Sequence, residues 1–107
     1  MSVSWVALFF AGLFEIGWPL GLKLGGKQGM EIWGPVLAVS CMAISGFLLW
    51  YSLKGIPIGT AYAVWTGIGA AGTFVIGVTF FGDANLIVRW MGIAAIVSGV
   101  VMLKMGG

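Results

Sequence analysis

Glu15 is the residue in this chain whose type and position most directly imply chemistry. It lies inside the apolar run 3–22 rather than at its edge, and no other acidic or basic residue sits so deep in a long apolar stretch. A carboxylate at that depth costs on the order of 2.5–3.5 kcal/mol to ionise even on lenient insertion scales, so such residues usually bind or relay an ion. If the run is helical, Ala11 and Gly12 lie one turn before Glu15, and Trp18 and Pro19 one turn after it. Gly12 would leave space beside the carboxylate for a ligand. Trp18 either donates its indole N–H to the carboxylate, offers its face to a cation, or only fills volume. Pro19 removes the backbone bond normally accepted by the Glu15 carbonyl and favours a bend there.

A second cluster occupies the third apolar run. Tyr62, Trp65 and Gly69 share one helical face, with Thr66 and Gly72 at its edge. An aromatic pair on a glycine-rich face suits a flat or cationic ligand, and the same glycines equally serve close helix packing. Glycine at 67, 69, 72 and 77 weakens the helix by roughly 1 kcal/mol each relative to alanine. Ser45 adds one hydroxyl in the second run, where its default is a bond back to its own helix.

The elements that must position these groups follow from composition. Of the 107 residues, 61% are hydrophobic and 7% charged, with three acids against five bases. So few charges cannot cover a soluble domain, and the class is integral membrane. Four runs, 3–22, 32–53, 56–81 and 86–103, approach or exceed the ~20 residues needed to cross a hydrocarbon core of ~30 Å. The first is read as a span, not a cleaved signal, since it lacks a basic leader and is interrupted by Glu15. Only short connections separate the runs, so residues 1–107 are expected to form a single four-helix transmembrane domain. With no histidine and the single Cys41, neither a disulfide within the chain, a metal site nor a cofactor site is expected. The scattered basic residues give no sign of nucleic-acid binding, and no enzyme activity is expected.

Four crossings place Lys54 and Lys104 on one side with both termini, and Lys23, Lys27 and Arg89 on the other. Two bases against three is almost no bias, so the positive-inside rule sets no firm orientation. Either another signal decides, or the chain inserts both ways. Trp5, Trp33, Trp50 with Tyr51, and Trp90 lie near run ends, as in an interfacial aromatic belt, and Arg89 is expected to snorkel to the headgroups. Glu31 and Asp83 are expected to be solvated loop residues. Many transporters set their site between two halves of inverted topology. This chain supplies one half, so a second, antiparallel copy would supply the other. Gly92, Ala95 and Gly99, with Ile96 beside them, offer a small-residue seam for that contact or for packing within one chain.

The length, the four spans, the glutamate in the first span and the segment Pro57-Ile58-Gly59-Thr60-Ala61-Tyr62-Ala63-Val64-Trp65-Thr66-Gly67-Ile68-Gly69 closely resemble the small multidrug resistance family of bacterial transporters. Phe14-Glu15-Ile16-Gly17-Trp18, with tryptophan three after the glutamate, and Thr66 after Trp65 resemble its guanidinium exporter subtype; the multidrug subtype typically has glycine at that third position. Two features depart from the family pattern. Pro19 stands where a small residue is more usual, and Gly82-Asp83-Ala84-Asn85 replaces a loop richer in glutamate. The resemblance implies an all-α, dual-topology antiparallel homodimer in the bacterial inner membrane that exports guanidinium-type cations in exchange for protons. It also implies that Glu15 binds substrate and proton in turn, with Gly12, Trp18, Ser45, Tyr62 and Trp65 lining or orienting the site. The alternative within the family is a polyspecific exporter of quaternary ammonium cations. From another class, a proton-conducting or structural membrane subunit remains, against which the aromatic residues argue. On these expectations, loss of Ser45 should weaken guanidinium binding more than that of a tetra-substituted ammonium.

Overall fold

In this computed structural model, residues 2–106 are described, and they form α1 (Val3–Leu24), α2 (Trp33–Ser52), α3 (Ile58–Phe80) and α4 (Ile87–Gly106). Each is long and apolar enough to cross a bilayer, so the chain is a multi-pass membrane protein. Each start and stop has a local cause. The Ser2 hydroxyl caps α1 by accepting from the Trp5 backbone N–H at 3.3 Å. Lys23 sits in its last turn, where a cation complements the helix dipole. Pro57, with φ −55°, sets the entry to α3, and its carbonyl accepts from Ala61 N at 2.9 Å. That helix ends where Gly82 turns at φ +73° and the N–H groups of Phe81 and Asp83 both donate to the Gly77 carbonyl at 3.1 Å.

The boundaries differ from the apolar runs in an instructive way. α1 continues through Lys23 and Leu24, and α4 continues past Leu103 to Gly106. Hydropathy marks where lipid ends, whereas the helix ends where its backbone bonds end. α3 starts later than its apolar run because Pro57 intervenes. Ile56 nevertheless stays 4% exposed, packed outside the helix with Leu8, Ala61 and Val64.

Successive helices are antiparallel, and small residues decide how they pack. The buried residues of α2 are Gly34, Ala38, Cys41, Ser45 and Ser52, one narrow seam of small side chains. Against it α1 sets Gly21, Gly17 and Ala11. A Cβ built on Gly21 would lie 2.6 Å from the Ala38 nitrogen, and one on Gly17 would overlap Cys41. Such seams let backbones approach closely where lipid supplies no hydrophobic drive. α3 runs parallel to α1, with Gly12 against Ile68, Glu15 against Gly69 and Ile16 against Gly72. α4 joins through Val100 and Ile96 over Gly67 and through the edge-to-face pair Phe74–Trp90, whose ring centres are 5.0 Å apart. The helices thus stand in the spatial order α2, α1, α3, α4, an open row only 19 Å through its thinnest axis.

Among the described residues, α4 has no buried side chain. Gly92 and Gly99 have no atom within 4 Å of where a Cβ would stand, whereas Ile96 is used against Gly67. The small-residue seam therefore stays uncovered within one chain.

Candidate functional site

Glu15 lies half-buried on α1, the helix between α2 and α3. Its Cγ fills the space that a side chain at Gly69 would need, 2.6 Å from that position. One carboxylate oxygen, Oε1, accepts the indole N–H of Trp18 at 2.8 Å. The spacing of three along α1 makes this bond local, and a hydrogen bond to a charged acceptor is stronger than a neutral one. Of the alternatives open for Trp18, the indole donates. α1 is continuous across Pro19. Proline has no N–H, so the Glu15 carbonyl lacks the usual donor from Pro19.

Ser45 is placed otherwise than its local default. Its hydroxyl donates across the seam to the Ala11 carbonyl at 2.7 Å and accepts the Trp65 indole N–H at 2.8 Å. Three helices meet in that one fully buried hydroxyl. The Ala11 carbonyl is also the acceptor that an α-helix assigns to the Glu15 N–H, so Ser45 ties α2 and α3 to the turn that carries the carboxylate. Its proton is spent on α1 backbone rather than on Glu15. The sequence offers no signal for this acceptor beyond Ala11 lying one turn before the glutamate.

Tyr62 and Trp65 pack as a tilted pair, 5.5 Å between ring centres with planes inclined at 51°. Tyr62 is 58% exposed, so the pair presents an open aromatic face. Thr66 is not part of that face chemically, because its hydroxyl returns to the carbonyls of Tyr62 and Ala63 at 2.9 and 3.2 Å. Gly12 is occupied differently from the reading that it leaves room for a ligand. A Cβ there would stand 2.7 Å from Ile68, so its missing side chain admits α3. Trp18 with Glu15 and Tyr62–Trp65 with Ser45 are thus two bonded groups, linked through the Ala11–Glu15 turn. Among the described residues no cluster of three or more His, Cys, Asp or Glu could hold a metal.

Basic residues near the helix ends lie over aromatic faces. Lys54 lies over Trp50 and Tyr51, Lys104 over Trp5, and Arg89 over Phe74 at 5.3 Å. Trp90 donates to the Asn85 side chain at 2.6 Å. Glu31 is exposed and accepts the Gly29 N–H at 2.9 Å.

Comparison with known proteins adds independent findings. A profile of the family described as "Small Multidrug Resistance protein" matches residues 3–96. A protein of Proteus vulgaris named "Guanidinium exporter" is 45% identical over 104 residues, which cover 96% of this chain and 98% of that one. Proteins of the same name from Escherichia coli (strain K12) and Yersinia pestis are 41% and 40% identical over the same length, covering 96% of this chain and 97% and 98% of theirs.

Proposed function

The chain belongs to the small multidrug resistance family of transporters, and on that footing we propose that it exports guanidinium and related small guanidinyl cations across the bacterial inner membrane in exchange for protons. The observation that carries this reading is the Trp18–Glu15 bond, set in a chain similar over nearly its whole length to proteins named for guanidinium export. Guanidinium is planar and can meet a carboxylate with two parallel N–H···O bonds. Trp18 holds one edge of the Glu15 carboxylate in place, and a planar cation would meet its free lone pairs. The faces of such a cation suit stacking on Tyr62, Trp65 or the Trp18 ring. Ser45 positions the Glu15 turn, and Gly12 lets α3 close against it.

Proton and cation compete for one carboxylate, and that competition couples their movements. In this reading a second, antiparallel copy brings its own Glu15 near the first, and the pair titrates as a unit. Exchange of conformation between the two protomers exposes the shared site to either side. The near-equal basic residues on the two sides and the uncovered Gly92–Gly99 face of α4 support this arrangement.

The test is uptake into proteoliposomes carrying this chain alone under an imposed pH gradient. Guanidinium and a guanylurea-like analogue should move against the gradient far faster than a quaternary ammonium. Preference for the quaternary ammonium would replace this reading with polyspecific export, and proton flux without cation flux would replace it with a proton conductor.

A further inference from the structure

At the end of the bundle opposite the termini, the seam between α1 and α3 opens into a cavity of about 210 Å³ bordered by Pro19, Leu20, Lys23, Thr73, Phe81 and Asp83. An apolar trough continues from it along Leu24, Ile76 and Phe80, with Lys27 on its rim. Leu20, Ile76 and Phe81 border both, so the two form one groove. It opens on the side of α1 that carries Ile16, Leu20 and Lys23, whereas Gly17 and Gly21 face α2. The groove is therefore separate from the Ser45 junction.

Its charges are arranged in a specific way. Lys23 and Lys27 both hold their ammonium groups over the Phe81 ring, at 5.9 and 5.5 Å from its centre. The stacking gathers two cations at one point without neutralising them. Asp83 supplies the groove's carboxylate, and its side chain is turned against Gly77 on the α3 side. Lys23, Lys27 and Asp83 are all exposed, at the depth where α1 and α3 meet the headgroup layer.

We propose that this groove binds a phospholipid whose head group joins a phosphate to a primary ammonium, that is, phosphatidylethanolamine. Lys23 and Lys27 take the phosphate, Asp83 takes the ammonium, and an acyl chain lies along Leu24, Ile76 and Phe80. Two lysines alone would suit any phospholipid phosphate. Asp83 in the same groove is what discriminates. It gains nothing ionic from a glycerol head group, and a choline head group has no N–H to donate to it.

The experiment is native mass spectrometry of the full chain released from detergent micelles with equimolar phosphatidylethanolamine, phosphatidylglycerol and phosphatidylcholine. The wild-type chain should retain phosphatidylethanolamine several-fold over the other two. Replacing both lysines, Lys23→Gln with Lys27→Gln, should cut retention of that lipid about tenfold or more, from the loss of two charge-assisted hydrogen bonds to its phosphate. Asp83→Asn should abolish the preference over phosphatidylglycerol while leaving total lipid retention in place. Phosphatidylglycerol retained as well as or better than phosphatidylethanolamine by the wild type would overturn the proposal, as would a preference that survives Asp83→Asn. The head-group ranking of the wild-type chain is decisive by itself should a variant fail to fold. Guanidinium uptake is a separate readout, so failure here is distinguishable from failure of the transport reading.

Discussion

Glu15 accepts the Trp18 indole N–H, and its capacity to carry charge is what the transport reading needs. Glu15→Gln keeps the volume and removes the charge. It should abolish proton-driven guanidinium uptake while the chain still inserts and associates, checked by proteoliposome flux together with crosslinking. Substantial coupled uptake by that variant would remove Glu15 from the mechanism. Ser45 calls for a different expectation from the one its residue type gives. Because its hydroxyl serves Ala11 and Trp65, Ser45→Ala leaves the Trp65 N–H without its acceptor and should destabilise the bundle by about 1–3 kcal/mol. Guanidinium and a tetra-substituted ammonium should then lose affinity together. Competitive binding in detergent measures this, and a loss confined to guanidinium would mean that Ser45 meets the ligand directly.

At the scale of the helices, the determining feature is where glycine meets backbone and where it meets nothing. A Cβ at Gly21 would press on the nitrogen of Ala38 and the carbonyl of Gly34, neither of which can rotate away. Gly21→Ala should therefore force α1 from α2 and cost roughly 1–3 kcal/mol, as overpacking does. Gly46 lies on the same α2 with open space around it. Gly46→Ala should be neutral or stabilising by about 0.5–1 kcal/mol, from helix propensity alone. Unfolding both variants in mixed micelles decides whether the α1–α2 contact rests on backbone approach. Equal stabilities would show that it does not.

For the whole molecule, the open row of four helices leaves α4 uncovered within one chain, and this is the face on which the proposed second copy would pack. A Cβ at Gly92 or Gly99 meets no other part of the chain, so Gly92→Leu with Gly99→Leu should keep the monomer's helicity while self-association falls sharply. Circular dichroism and crosslinking read the two separately, and undiminished association would move the contact away from this face. Orientation is a second property at this scale. A C-terminal tag should be reachable from both sides of the membrane, and two or three lysines added to one set of loops should bias it strongly. A single orientation of the wild-type chain would exclude the antiparallel pair.

The residues alone determined the membrane class, the four helices and the prominence of Glu15, because these follow from one-dimensional facts: apolar run length, the rarity of charge within a run, and spacing along one helix. The Trp18–Glu15 pair was legible for the same reason, its partners being three residues apart. The tertiary structure decided everything that depends on two helices meeting. It sent the Ser45 hydroxyl to Ala11 and gave the space at Gly12 to Ile68. It left the α4 glycines bare and drew Asp83 to one groove with Lys23 and Lys27, which are distant from it in sequence. Each side chain named there had several acceptors or neighbours within reach in principle, and only the register between helices selects one.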